Sequence, residues 1–220
     1  MRKHKFIIGS YYHIYNRGVD KRDIFSDTKD PPRFVLCMKL FSYKNPIGSV
    51  QVALRNKAVD IQRLQKDEKI VSIVEYCLNP NHFHMILREE SENGISEFMK
   101  RLMGGYTKYF NDKYSRSGSL FQGRFKSSYA EREKYFEDLF AYVMWNYRVH
   151  DISKDKINLV KTSEDEYRSS VFDVIDKKEG KKFLEWFGGY KNFLRHAQKT
   201  ISLIRKERGK FPNIDFNLDD

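Results

Sequence analysis

The sequence predicts an α+β fold: one antiparallel sheet with helices packed on one face, followed by a basic, helical C-terminal extension. Three observations lead there. Two strand-like apolar stretches flank an Asn-Pro-Asn turn at residues 79–81; two segments, 30–43 and 93–114, repeat their apolar residues at helical spacing; and beyond residue 150 the periodicity weakens while the charge rises.

In chain order, "KFIIGSYYHIYNRG" is β-rich up to the turn-forming Asn16-Arg17-Gly18, which marks a first strand. "DPPRFVLCMKLFSY" opens on prolines and then places Phe34, Val35, Met38 and Leu40 or Phe41 on a helical face. Residues 44–68 are mixed: "GSVQVAL" suits a short strand, and "RNKAVDIQRLQKDEK" a solvated loop or helical turn. "KIVSIVEYCL" and "HFHMILRE" form an antiparallel hairpin around the turn. A helix from Asn93-Gly94 carries Ile95, Phe98, Met99, Leu102, Tyr106, Tyr109 and Phe110 on one side. Within it, Gly104-Gly105 should cost roughly 1 kcal/mol each relative to Ala, which calls for a close approach by DNA or by a packed element. "SRSGSLFQGRFKSSYAERE" is a turn and a strand, and "EKYFEDLFAYVMWNYRVH" a last helix. The order β-α-β-β-α-β-α is that of a ferredoxin-like or RRM-like sheet. Residues 1–150 are therefore expected as the main domain and 151–220 as the extension.

Forty-one Lys and Arg against 30 Asp and Glu leave a formal charge of +11, beside 14 Tyr and 17 Phe. Cations neutralise phosphates and rings stack on unpaired bases, so nucleic acid is a natural partner, although most such rings serve only as core. Between Lys177 and Lys210, eleven Lys and Arg face three Glu, interleaved with Phe183, Trp186, Phe187, Tyr190 and Phe193. These rings suit a small helical core or a base-stacking platform, and the charge around them favours phosphate contact. The basic start lacks a signal-peptide core, because Gly9, Ser10 and His13 interrupt it, and no stretch approaches the ~20 apolar residues of a membrane span. Cys37 and Cys77 make neither a disulfide framework nor a zinc site by spacing. The expected location is the cytoplasm, in association with the nucleoid.

The chemistry centres on "LNPNHFHMIL". On a strand, residues i and i+2 share a face, so His82 and His84 project together while Phe83 turns away. Two imidazoles on one face are half of a metal site, or simply two half-exposed strand histidines. His13 falls on the same sheet surface, as an ordinary strand histidine. In the last helix, Asp138, Tyr142 and Asn146 repeat every four residues beside the apolar stripe Phe136, Phe140, Val143, Tyr147, so a phenol lies one turn from an amide and one turn from a carboxylate. Tyr142 also fits as one more core tyrosine.

Five ordered segments, "YHIYNRGVDKRDIF", "YCLNPNHFHMIL", "FMKRLMGGYTKYFN", "GSLFQGRFKS" and "YVMWNYRVH", spanning residues 12–150, together resemble the single-tyrosine HUH transposases of bacterial insertion sequences, in particular the REP-associated tyrosine transposases. The resemblance implies that His82 and His84 hold a divalent metal, Mg²⁺ or Mn²⁺, with Asn146 as third ligand. It implies that Tyr142 attacks a scissile phosphate of single-stranded or hairpin DNA, leaving a 3′-hydroxyl and a 5′-phosphotyrosine that a second strand can reopen, in a monomer or homodimer. A phenol titrates near pH 10, so its proton must pass to a base or yield to the metal; Asp138, one turn away, is a candidate by position, or part of a solvated face. Tyr147 stands where the family commonly has proline, which predicts that the helix runs on past Asn146. The residues expected to meet DNA are Arg17, Lys21 and Arg22 after the first strand, Lys100, Arg101 and Lys108 on the long helix, and Arg124 and Lys126 at the last strand. The rival expectations are a non-catalytic RRM-like nucleic-acid-binding protein and a metal-dependent nuclease that uses water.

Overall fold

The computed structural model describes residues 5–45, 50, 67–130, 133–150 and 152–206. Nearly all of the mixed segment at 44–68, with its expected short strand and helical turn, lies outside the described residues.

A five-stranded, wholly antiparallel sheet runs in the order β4-β1-β3-β2-β5. Its strands are β1 (Tyr11–Arg17), β2 (Val71–Asn79), β3 (His82–Glu89), β4 (Lys126–Tyr129) and β5 (Lys161–Thr162). The helices are α1 (Asp30–Phe41), α2 (Gly94–Lys113), α3 (Glu133–Met144), the single turn α4 (Asn146–Val149), α5 (Glu164–Ser169), α6 (Lys177–Trp186) and α7 (Tyr190–Lys206). The predicted α+β order is therefore present, with β5 added at the edge by the C-terminal segment.

One detail differs from expectation: helices cover both faces of the sheet. Phe83 packs against Phe34 of α1 and against Phe121 on one side, while His84 on the other side meets Tyr142 of α3. The reason lies in β2 and β3, where every residue but Arg88 is buried. Strands with apolar residues on both faces, as in Val71, Ile73, Val74, Met85, Ile86 and Leu87, must be covered twice.

On the first face α1 starts with Pro31 and Pro32 in its opening turn, where the missing N–H groups cost nothing. The fully buried Asp30 accepts hydrogen bonds from the amides of Ser26 and Asp27, from the hydroxyls of Tyr109 and Tyr114, and from Lys113, which ties α1 to the end of α2. The predicted stripe of α2 is its buried side: Ile95, Phe98, Met99, Leu102, Tyr106 and Phe110, with Tyr109 half-buried at its margin. A Cβ on Gly105 would stand 3.1 Å from the Phe41 ring, whereas one on Gly104 would meet nothing within 4 Å among the described residues. Gly105 thus answers to a packed helix.

On the second face α3 lies over β2 and β3, and the C-terminal helices hold it there. Phe140 stacks on Phe183 of α6 at 3.9 Å, and Phe193 of α7 closes the same cluster. Asp138 accepts a hydrogen bond from Thr200 at 2.8 Å and lies 3.2 Å from His196, both on α7. Asp176 caps α6 by accepting from the amides of Lys178 and Glu179. Cys37 and Cys77 are buried free thiols, and no helix among the described residues is long and apolar enough to cross a membrane.

Candidate active site

Strand register assembles the site. His82 and His84 sit opposite Arg17 and Tyr15 of β1 on one side, and Asn79 and Cys77 of β2 on the other. Period-2 geometry turns both imidazoles to the α3 face, with ring centroids 5.3 Å apart. From β1, His13 adds a third ring: its Nε2 lies 2.8 Å from His84 Nδ1, the two rings nearly parallel at 5.1 Å. Tyr15 flanks the pair, stacked on both imidazoles. Burial pushes His84 far below the ordinary imidazole value, with the neighbouring His13, His82 and His150 adding to the shift, and burial alone lowers His13 to about 3. Both imidazoles are therefore neutral near pH 7, each with one N–H and one lone pair.

The tautomer of His82 follows from its turn. Asn81 Nδ2 donates to the carbonyl of Lys21 at 3.3 Å, which points Asn81 Oδ1 at His82 Nδ1, 2.6 Å away. Nδ1 therefore carries the proton, and Nε2 presents a lone pair. That lone pair lies 2.8 Å from Asn146 Oδ1 and 2.8 Å from Asn79 Nδ2, while Asn79 Nδ2 also donates to Asn146 Oδ1 at 2.7 Å. Asn79 is a site residue that sequence reasoning missed. Its signal was present, since both asparagines of the Asn-Pro-Asn turn engage His82, but a turn explained them sufficiently.

Tyr142 is 1 % exposed, edge-on to His84 at 5.4 Å and to His13 at 6.2 Å. The predicted continuous helix through Asn146 is not formed: α3 ends at Met144, and Trp145 takes φ −110°, ψ 26°. Trp145 is buried, and the Arg148 guanidinium sits 3.8 Å above its ring, so tertiary anchoring of this residue overrides the helical pattern. The absence of proline at position 147 does not carry the helix onward. Asn146 reaches His82 from the separate turn α4, and His150 at the end of that turn packs its ring 4.9 Å from His82.

Among the described residues no three or more His, Cys, Asp or Glu side chains are grouped to hold a metal. The donor set that does converge includes an amide: His82 Nε2, Asn146 Oδ1 and the β3 neighbour His84. Two observations fit a divalent ion. His84 Nε2 is buried with no hydrogen-bond partner among the described residues. His82 Nε2 and Asn146 Oδ1 are both acceptors and stand 2.8 Å apart, close to the roughly 3 Å edge of an octahedron with ligands at about 2.1 Å.

The expected DNA contacts divide into two groups. Arg17, Lys21, Arg22, Arg124 and Lys126 lie around the end of the sheet that carries His82: Arg17 pairs with His82, Gln122 donates its amide to the Arg17 carbonyl, and Lys126 pairs with Tyr15. Arg17 also donates through Nε to the Gln122 side chain. Lys100, Arg101 and Lys108 are on α2, across the sheet from the histidines. There Arg101 is committed to Glu97 and to the carbonyls of Tyr43 and Lys44, while exposed Lys100 and Lys108 lie 3.8 Å from Glu97 and 3.4 Å from Asp112. Asp138, held by Thr200 and His196, turns to α7.

No curated protein matches the chain. Among solved structures, it is similar to a REP-associated tyrosine transposase bound to a REP hairpin, at 13% identity over 80% of this chain and 90% of that one, with a TM-score of 0.49. It is also similar to a putative transposase from Deinococcus radiodurans, at 12% identity over 61% and 89%, with a TM-score of 0.35. A third is the tRNA(His) guanylyltransferase of Saccharomyces cerevisiae, at 9% identity over 94% and 81%, with a TM-score of 0.37. These likenesses are distant, and membership rests on the family model. That model, described as "Transposase IS200 like", matches residues 33–146, more than half of the 220 residues and the stretch containing His82, His84, Tyr142 and Asn146. The chain belongs to the IS200-like transposase family.

Proposed function

We propose that this protein is a metal-dependent nickase and strand transferase of single-stranded DNA, acting at hairpin or repeat ends through a 5′-phosphotyrosine on Tyr142. The observation that carries the reading is the buried convergence of Tyr142 with His84, and of His82 with Asn146, within the family-matched stretch. His82, His84 and Asn146 would hold a Mg²⁺ or Mn²⁺ ion, whose contribution is Lewis-acid neutralisation of charge on the phosphate oxygens. Asn81 fixes the His82 tautomer, and with His84 Nδ1–H donating to His13 Nε2 the Nε2 lone pair of His84 would be free for the ion as well.

The Tyr142 oxygen attacks phosphorus in line: the O–P bond forms, the P–O3′ bond breaks, the phenol proton is released, and the 3′-oxygen leaves as a hydroxyl. Because the phosphodiester is conserved as phosphotyrosine, an incoming 3′-hydroxyl reverses the step and joins a new strand without a nucleotide cofactor. A phenol 1 % exposed must be uncovered before a phosphate reaches it, so DNA entry and site opening are coupled. An unpaired strand is the natural substrate, since it exposes backbone and bases that a duplex hides. The sequence resemblance to the REP-associated branch supports a hairpin or repeat end. Arg17, Lys21, Arg22, Arg124 and Lys126 are the cations best placed to receive the strand; Lys100, Arg101 and Lys108 would meet only DNA that wraps the opposite face. In this reading residues 1–150 carry the chemistry and residues 151–220 are the basic extension, of which the helices within 152–206 back α3.

The test is a denaturing protein gel after incubation with end-labelled hairpin DNA from the flanking genomic sequence, with Mn²⁺ or with EDTA. A metal-dependent labelled band at protein plus DNA mass is expected. It should vanish in Tyr142→Phe with DNA binding retained, and in His82→Ala and His84→Ala. Full cleavage by Tyr142→Phe would refute the tyrosine, and cleaved DNA with no adduct would assign the attack to water.

A further inference from the structure

The rings of the C-terminal extension divide into two kinds. Phe183 and Phe193 are buried, and Phe187 and Tyr190 are half-buried against them, which makes a small helical core. Trp186 departs from this pattern. It is 45 % exposed, stacked on Phe136 of α3 at 5.6 Å with 28° between planes, and its Nε1 donates to Glu137 at 3.1 Å. One face of the indole is thus backed by a ring and its orientation fixed by a hydrogen bond, leaving the rest of the ring to solvent.

Trp186 borders a shallow, open depression with Phe136, Phe183, Tyr11, Lys182 and Glu179 on its walls. Such an opening encloses no ligand; what it offers is the exposed indole, a flat surface against which one ring can be laid. Its polar groups already pair among themselves: Tyr11 donates to Glu179 at 2.6 Å, and Lys182 donates to the same hydroxyl at 2.6 Å. What remains for a ligand is apolar ring surface, with exposed Lys178 and Lys182 on the Trp186 side of α6 and Glu137 and Glu185 beside them. A fixed, exposed aromatic face is the complement of an unpaired base, which stacks on it whatever its identity.

The pocket shares the sheet face of the active site. Tyr11 precedes His13 by two residues on β1, and Phe136 precedes Tyr142 by six on α3, a rise of about 9 Å along the helix. We infer that the exposed face of Trp186 is a stacking subsite for one unpaired nucleobase of the strand whose phosphate Tyr142 attacks. The inference rests on the function proposed above and adds to it a contact made by the extension.

The experiment uses the full chain and a short fluorescein-labelled single strand in EDTA, reading anisotropy of the DNA, and in parallel tryptophan emission with the unlabelled strand. Trp145 is 2 % exposed, so quenching by a stacked base reports Trp186. Emission should fall with the same midpoint as the anisotropy rises. Trp186→Ala should weaken binding about 5- to 100-fold, the range for losing one base–aromatic stack, and Trp186→Phe should restore most of it. Abasic substitution along the strand should find one position whose loss matters to wild type and adds nothing in Trp186→Ala. DNA binding with unchanged emission and a wild-type affinity in Trp186→Ala overturns the subsite and leaves the proposed function standing. Failure of the wild type to bind any single strand overturns the proposed function, and the subsite with it.

Discussion

The two asparagines around Pro80 touch opposite ends of one imidazole, so their removal should move metal affinity in opposite directions. Asn79 Nδ2 donates to His82 Nε2 and Asn146 Oδ1, the two acceptors that a divalent ion would use. Asn79 is fully buried, and so is Asn146. In EDTA, Asn79→Ala leaves two buried acceptors facing each other without a donor. At about 1–3 kcal/mol for a buried group left unsatisfied, and with one donor shared by both, the loss is about 2–4 kcal/mol. For a chain of this size that lowers Tm by roughly 5–15 °C. With Mn²⁺ the sign reverses. A nitrogen lone pair cannot serve Asn79 and a metal at once, so the wild type must break a hydrogen bond worth about 1 kcal/mol net, and Asn79→Ala should bind Mn²⁺ about five- to tenfold more tightly. Asn81 instead holds the distal Nδ1–H, so Asn81→Ala should weaken Mn²⁺ binding about 10- to 100-fold. Calorimetric Mn²⁺ titrations, with thermal melts in EDTA and in Mn²⁺, measure both effects. Equal weakening in the two variants, or indifference of both to the metal, would refute the assignment of those lone pairs.

Two further predictions concern stability. Gly104→Ala should raise Tm by roughly 2–4 °C, since it gains about 1 kcal/mol of helix propensity and its Cβ meets nothing within 4 Å; in Gly105→Ala the 3.1 Å approach to Phe41 should cancel that gain, as paired thermal melts would show. On the acid side, Lys113 hydrogen-bonds Asp27 and holds its carboxyl below the ordinary 3.8, helped by the Lys29 amide. A depressed carboxyl stabilises fully above its unfolded value and loses that contribution as pH falls through the lowered one. Asp27 is nearly half exposed, so the contribution is under about 1 kcal/mol. Acid unfolding curves of wild type and Asp27→Asn should therefore separate above about pH 4 and converge below the lowered value.

The parts of this structure that were legible in the sequence are those written in a period. His82 and His84 share a face because strands alternate, and Ile95 to Phe110 bury one side of α2 because helices turn every 3.6 residues. What was not legible depends on contacts distant in sequence. The four-residue spacing of Tyr142 and Asn146 gave no sign of the break at Trp145, which follows from burial of that one indole under Arg148. Asn79 has the same identity in a simple turn as in a polar cluster, and only the β2–β3 register brings it to Asn146. The second helical layer was hidden because a strand buried on one face and a strand buried on both differ only at positions such as Cys77 and Ile86, where apolar residues appear out of alternation.

The break at Trp145 also bears on how the site can open. The outer side of α3 is held by the extension at three points: Glu137 to Trp186, Asp138 to Thr200 and His196, and Phe140 to Phe183 and Phe193. Asn146 is on the other side of the break, bonded to the β2–β3 hairpin through Asn79 and His82. The phenol and the amide, four residues apart in sequence, are therefore carried by different parts of the fold. A rigid helix through both would force them to move together. With α3 ending at Met144, a shift of α3 would uncover Tyr142 while Asn79 and His82 hold Asn146 to the hairpin, and the packing of α4 on α7 limits how far α7 can follow. The groups that hold the outer side of Tyr142's helix lie largely at residues 183–200, beyond the family-matched stretch, so if Tyr142 is the nucleophile proposed above, the extension sets how readily it is uncovered.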